Sequence, residues 1–262
     1  MANIAFDVDG VMTNLAKFQL DTGRKYFGED SVKDPTKYDV KDIFDVSKEE
    51  REKYWLKYIW PYCITEEMRK NLSELSKKLK EDGHKIYIIT GRVHTTEDGI
   101  RGKLFRKMLL SWLKKNDFEY DEIIYVNENN SAEEKLNACK ENNIDLMIED
   151  KTENIEVIKD VSSVICVNAE YNENADFGDI VRIDNFDNGY EVINSVLEKD
   201  NKSFKLLSNE EMDELSQDEL KKYFSTFKEL VINSRSAFDE YSQFFKYYSS
   251  LEKIQINLTG YS

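Results

Sequence analysis

The stretch Ile4-Ala5-Phe6-Asp7-Val8-Asp9-Gly10-Val11-Met12-Thr13-Asn14 constrains the fold more than any other part of the chain. A short apolar run next to the initiator Met reads as a buried first strand. It leads straight into two carboxylates one residue apart, and side chains at i and i+2 lie on the same side of an extended chain. Asp7 and Asp9 are therefore expected to face one point just past the strand end, and Gly10 lets the backbone turn sharply there. In open α/β sheets, ligands sit in the crevice outside the carboxyl ends of the strands. Two acids there repel each other unless something positive lies between them, and a hard divalent cation with oxygen ligands suits that place. Asp-x-Asp is common in other settings, so the assignment needs partners further along the chain.

Those partners come in order. Lys85-Ile86-Tyr87-Ile88-Ile89 reads as a second buried strand running into Thr90-Gly91-Arg92. A hydroxyl followed by glycine at a strand end suits one phosphate oxygen, although the same dipeptide also serves ordinary turns. Ile123-Ile124-Tyr125-Val126 forms a third strand, and Ser131-Ala132-Glu133-Glu134 has the pattern of a capping box that opens a helix. Lys135 then sits in the first helical turn, where the helix dipole disfavours a cation. A local rule broken in this way marks function. Lys140 is the fallback, further from the strand ends. Asp145-Leu146-Met147-Ile148 is a fourth strand ending in Glu149-Asp150, and Asp150 is the third oxygen ligand for the cation. A fifth strand (163–167), a short one at 181–183 and a closing helix over 189–197 complete the body.

Between these elements, residues 14–64 read as a small, mostly helical insert standing over the strand ends. Its last helix has Ser47 as cap, with Glu50 three residues on, and is expected to stop at Pro61. Its aromatics (Tyr54, Trp55, Tyr58, Trp60) either stack on a substrate ring or, more simply, pack the insert's own core. A helix opening at 65–68 places Met68, Leu72, Leu75 and Leu79 on one face, with Gly83 ending it. A basic helix after residue 101 turns Leu104, Met108, Leu109, Trp112 and Leu113 inward. Arg92, Lys17, Lys25 and Lys103 either contact the substrate or, more simply, are surface charge. From about residue 199 no parallel-sheet strand is expected. Apolar residues at helical spacing around Leu220–Leu230 and Phe238–Leu251 read as two amphipathic helices broken near Asn233-Ser234, which offer a face to the body, a second copy or a protein partner.

The net charge of −15 argues against binding nucleic-acid polymers, which need a basic face. An anionic substrate must then be held locally, by a cation and a few placed bases. No apolar run approaches the roughly 18 residues of a membrane span. The opening residues lack the basic leader of a signal peptide. Cys63, Cys139 and Cys166 are odd in number and far apart, which fits free thiols in a reducing cytoplasm.

Acids at strand one, Thr at strand two, Lys on the helix after strand three and an acid pair at strand four resemble the haloacid dehalogenase (HAD) superfamily of phosphohydrolases. Phe6-Asp7-Val8-Asp9-Gly10-Val11, Ile89-Thr90-Gly91-Arg92, Lys135 and Ile148-Glu149-Asp150 are similar to its four motifs in turn. The layout is similar to the 5′(3′)-deoxyribonucleotidase (type C nucleotidase) branch, with a short helical cap between the first and second motifs.

The resemblance implies an α/β, HAD-like Rossmannoid parallel sheet with helices on both faces. It spans about residues 1–198, with the cap inserted at 14–64 and a helical extension over 199–262. It also implies chemistry for named residues. Asp7 is the nucleophile, forming an aspartyl-phosphate, and Asp9 the general acid and base. Mg2+ is held by Asp7, the backbone carbonyl of Asp9, and Asp150, with Glu149 orienting a bound water. Thr90, Gly91 and Lys135 take the phosphoryl oxygens. The expected activity is a Mg2+-dependent, cytoplasmic phosphomonoesterase acting on a nucleoside monophosphate. A sugar or polyol phosphate is the alternative substrate, and a non-catalytic scaffold binding a partner through its tail is the alternative class.

Overall fold

In a computed structural model, residues 1–202, 229–232 and 253–256 are described, and two compact units divide the chain, Met1–Lys202 and Ser203–Ser262. In the first unit, β1 (Asn3–Phe6) lies inside a six-stranded sheet with β2 (Lys85–Thr90), β3 (Glu122–Tyr125), β4 (Leu146–Glu149), β5 (Ser163–Val167) and β6 (Val181–Ile183). The order is β3-β2-β1-β4-β5-β6, and every pair is parallel. The chain winds outward from β1 to β3, then returns to the other side of β1 with β4. The gap between β1 and β4 is thus the switch point where an open sheet leaves a crevice. Both faces are covered, so the inner strands β1, β2, β4 and β5 carry apolar, largely buried runs. Ile4, Phe6, Ile88 and Ile148 enter one core with Leu109, Trp112 and Leu113, whereas Ala5, Ile89 and Met147 enter the other with Ala138, Cys139 and Ile155.

The insert holds α1 (Leu15–Phe27), α2 (Val40–Phe44) and α3 (Lys48–Thr65). The expected capping box is formed at Ser47 and Glu50. Pro61 does not stop α3, which runs four residues further. The carbonyl of Lys57, the partner that Pro61 cannot serve, belongs to an exposed residue, while Tyr62 and Cys63 in the last turn are buried and hold it. Beyond the insert, α4 (Leu72–Glu81) starts later than expected. Residues 66–71 are spent on long-range bonds instead: Arg69 N–H donates to the Met12 carbonyl at 2.8 Å and Trp112 Nε1 to the Glu66 carbonyl at 2.7 Å. Gly83 follows α4 with φ +81°, as a C-cap glycine should.

The basic helix is α5 (Gly99–Lys115), on which Leu104 is exposed and Phe105 takes the inward place. α6 (Ser131–Glu141), α7 (Thr152–Ile158) and α8 (Gly189–Lys202) complete the layers. The capping box expected at Ser131 is absent. A 3-10 turn at Glu128–Asn130 runs straight into α6, and Ser131 Oγ donates instead to Asn154 Oδ1 at 2.9 Å. In the second unit, β7 (Glu229–Ile232) pairs in parallel with β8 (Lys253–Ile256). This corrects the strand-free reading of the tail, since Leu230 was expected in a helix. The rest of the two expected helices and their break lies outside the described residues. No described helix is long and apolar enough to cross a membrane.

Candidate active site

The site lies at the carboxyl ends of β1, β2 and β4. Asp7 N–H donates to the Ile148 carbonyl at 3.0 Å, prolonging the β1–β4 pairing by one residue, so the Asp7 side chain emerges where the two strands part. Gly10 then turns with φ +99°; a Cβ there would stand 2.0 Å from Asp150 Oδ2. Glycine is required at this turn by both conformation and space. Arg69 braces it, its Nη2 donating to the Gly10 carbonyl at 3.2 Å and its Nε to the Thr13 carbonyl at 3.3 Å.

Carboxylate oxygens of Asp7, Glu149 and Asp150 lie within 4.8 Å of one another, all buried. One cation pairs with two of the three: Lys135 Nζ stands 2.7 Å from Glu149 Oε2 and 3.0 Å from Asp7 Oδ1. α6 begins at Ser131, so Lys135 is its fifth residue, just past the first turn in which it was expected. Lys135 is 1% exposed, and although burial alone would neutralise it, the Asp7 and Glu149 carboxylates hold it charged. Glu149 is likewise held below its usual range. Burial pushes it up, but Lys135 and the backbone N–H groups of Asp150 and Lys151, both 3.1 Å from Oε1, overcome that.

The other two acids are short of positive charge. Burial pushes Asp7 up to about 7, Lys135 notwithstanding. Burial and the neighbouring Glu149 and Asp7 push Asp150 well above the carboxylate range. Asp7 Oδ1 and Asp150 Oδ1 are buried with no hydrogen-bond partner; for Asp7 the Lys135 ammonium is close but badly aligned. Two orphaned carboxylate oxygens facing one point fit a small hard cation. Asp150 is oriented for it: Tyr171 Oη donates to Oδ2, and buried Asn172 Nδ2 donates to its carbonyl at 2.7 Å.

The Asp9 carboxylate does not share that point. Its carboxylate turns toward Arg92, accepting Nη2 at 2.6 Å and Nε at 3.0 Å on Oδ1, with Nε at 3.3 Å from Oδ2. Tyr62 Oη on α3 donates to the same Oδ1 at 2.7 Å and meets Thr13 Oγ1 at 2.7 Å. Arg92 is 3% exposed, so its reading as surface charge is wrong; Lys25 and Lys103 are exposed, and Lys17 pairs with Asp21 on the surface. A guanidinium directly after a strand-tip Thr-Gly was the signal for Arg92. Nothing local marked Tyr62, Arg69 or Tyr171. Thr90 is fully buried at the end of β2, its Oγ1 accepting Arg92 N–H at 3.2 Å, and Gly91 lines the cleft without a steric demand for glycine.

Above this floor opens a cleft of about 730 Å³ lined by Asp7, Asp9, Arg92 and Lys135 below and by α1 and α3 residues such as Gln19, Trp55 and Ile59 above. Most insert aromatics pack among themselves, as the simpler reading held: Tyr54 is fully buried, stacked on Phe27, with its hydroxyl 2.6 Å from Thr22 Oγ1.

Comparison with known proteins decides the family. Residues 1–200 match the family described as 5′ nucleotidase, deoxy (pyrimidine), cytosolic type C protein. The chain belongs to this family. A nucleotidase of Clostridium acetobutylicum is 26% identical over 199 residues, 75% of this chain and 96% of that protein. Among solved structures, a predicted phosphatase from Clostridium acetobutylicum superposes with a TM-score of 0.52 at 16% identity, covering 74% of this chain and 98% of its own. A predicted phosphoglycolate phosphatase from Haemophilus somnus gives 0.50 at 14% identity over 74% and 97%. The HAD-like fold and the nucleotidase branch expected from the motifs are thereby borne out, and the protein is a hydrolase of phosphoric monoesters.

Proposed function

We propose that the protein is a Mg2+-dependent phosphomonoesterase of nucleoside monophosphates that works through an aspartyl-phosphate on Asp7. The observation that carries this reading is the pair of orphaned buried oxygens, Asp7 Oδ1 and Asp150 Oδ1, beside the single ammonium of Lys135. Asp7, Asp150 and the backbone carbonyl of Asp9 would hold the ion, with Glu149 behind them. When bound, Mg2+ offsets the charge of the acids, keeps Asp7 ionised and draws charge from the phosphoryl oxygens.

An Asp7 carboxylate oxygen attacks phosphorus, the bond from phosphorus to the ester oxygen breaks, and Asp9 gives its proton to the departing alcohol. Water then attacks the aspartyl-phosphate and gives its proton to Asp9, releasing inorganic phosphate and restoring Asp7. Of the two Asp9 oxygens, Oδ1 is taken by Arg92 and Tyr62, whereas Oδ2 meets only Arg92 Nε at 3.3 Å. Oδ2 is therefore the oxygen that carries the proton. Lys135, Thr90 and backbone N–H groups after β2 take the phosphoryl charge. The nucleotidase name of the Clostridium relative and the apolar wall of Trp55, Leu56 and Ile59 favour a flat ring over a polyol as leaving group. Three buried free thiols suit a reducing cytoplasm.

The test is a panel of nucleoside 3′- and 5′-monophosphates, sugar phosphates and p-nitrophenyl phosphate, assayed with Mg2+ and with EDTA. Turnover that needs the metal and favours nucleotides is expected. Turnover indifferent to EDTA, or fastest on polyol phosphates, sinks the corresponding half.

A further inference from the structure

Six buried side-chain nitrogen or oxygen atoms among the described residues lack a hydrogen-bond partner: Asp7 Oδ1, Gln19 Oε1, His84 Nδ1, Arg92 Nη1, Asp150 Oδ1 and Ser162 Oγ. Such atoms are rare in folded proteins, and each calls for a reason. Four of the six belong to one place, since Asp7, Gln19 and Arg92 line the cleft and Asp150 lies beneath its floor. The cation accounts for the two acids, and Arg92 spends its other nitrogens on Asp9. Gln19 is left without an account. It is 2% exposed, sits one helical turn after Leu15 on the face of α1 that lines the cleft, and its amide oxygen Oε1 is buried without a hydrogen-bond partner.

We propose that Gln19 is a specificity-determining residue that reads the nucleobase of the substrate; this rests on the nucleotidase reading above. A primary amide presents one acceptor and one donor side by side, and its complement is an edge with an adjacent donor and acceptor. Nucleobases offer such edges, and glutamine pairs with them in two hydrogen bonds. The walls around Gln19 suit a flat ring: Trp55 and Ile59 of α3 line the same cleft. Two of the charged side chains that line the cleft are committed elsewhere, Arg51 to Asp39 and Arg101 to Glu97. A buried amide in an apolar wall is a cost to the empty protein and a gain only once a ligand supplies the missing partners.

The experiment compares wild type with Gln19→Met, which keeps the length of the side chain and removes both polar atoms. The readouts are the thermal midpoint and a preference ratio: kcat/KM for the best of adenosine, guanosine, cytidine and uridine 5′-monophosphates, divided by that for ribose 5-phosphate. The ratio is expected to fall about 10- to 100-fold, as the loss of two neutral hydrogen bonds should make it. The midpoint is expected to hold or rise, because an unsatisfied buried amide has gone. A structural glutamine behaves in the opposite way, with a lower midpoint and equal losses on both substrates, and that result overturns the proposal. Gln19→Glu keeps the shape but offers acceptors only. It should re-rank the four nucleotides toward the base with two adjacent donors, and an unchanged ranking also overturns the proposal. If wild type hydrolyses ribose 5-phosphate with Mg2+ as well as any nucleotide, this inference falls while the Asp7 chemistry stands. If wild type hydrolyses no phosphomonoester, both fall together.

Discussion

The floor of the cleft and its roof are built on different terms. The floor groups hang from strand tips whose spacing the parallel sheet sets, and nearly every polar atom there is paired or points at the cation position: Lys135 to Glu149 and Asp7, Tyr171 to Asp150, Arg92 to Asp9. The roof, α1 to α3, is held mainly by its own aromatics, with Tyr54, Tyr26, Phe27 and Tyr58 edge to face or stacked. Only a few roof side chains reach downward, and Tyr62 alone touches the Asp9 carboxylate among them. A rigid floor and a self-sufficient roof let chemistry and substrate choice vary separately. Substitutions in the floor should therefore cost turnover, and those in the roof preference or stability.

The sharpest break of this division is Asp7→Asn. We expect kcat to fall at least about 1,000-fold, with far-UV circular dichroism unchanged; a variant that keeps full turnover removes Asp7 as nucleophile. Next, Arg92→Met leaves the Asp9 carboxylate without its buried partner, and a loss of about 3 kcal/mol in urea unfolding is expected along with slower turnover. Arg92→Lys should restore little, since one ammonium cannot replace the two-nitrogen grip on Asp9.

The metal sharpens the comparison through pH. Burial, foremost, raises Asp7 from 3.8 to about 7, and raises Asp150 too. The folded protein thus holds these protons more tightly than the unfolded chain. The stabilisation is complete below the unfolded value and is lost as pH rises through about 7. Mg2+ competes with the same protons. Its effect on the thermal midpoint should accordingly be larger near about pH 8 than near about pH 5.5, worth about 2.7 kcal/mol at a hundredfold excess over Kd. Equal shifts at both values would disprove that these acids hold the ion.

Tyr62→Phe deletes the single roof hydroxyl on Asp9, and about a tenfold loss in kcat with an altered pH profile is expected. A smaller effect still belongs to Ser47→Ala, which opens the capping box of α3. It should cost about 1 kcal/mol of stability. Turnover per folded molecule should stay as it was.

The unequal legibility of floor and roof has a physical cause. Period-two apolar runs and the acids directly behind them are local, and a buried parallel sheet leaves few ways to arrange them. Asp7, Thr90, Lys135, Glu149 and Asp150 were therefore readable in place. Lys135 was readable from its place after the third strand, although α6 starts earlier than expected and puts it past the first turn; the two buried carboxylates that hold it lay elsewhere in the chain. Pro61 misled because its penalty depends on whether the orphaned carbonyl meets water, which local sequence does not state.

The sequence by itself determined the run of buried strands and the acids at their tips, because side-chain periodicity and chain order act over a few residues. Only the tertiary structure decided that the Asp9 carboxylate leaves the acid cluster for Arg92 and Tyr62, that Tyr171 steadies Asp150, and that the Gln19 amide oxygen is left unpaired at the cleft. Those pairings join residues 83, 53 and 21 positions apart. Which distant polar groups meet inside a fold is set by how its layers close, and no local pattern carries that.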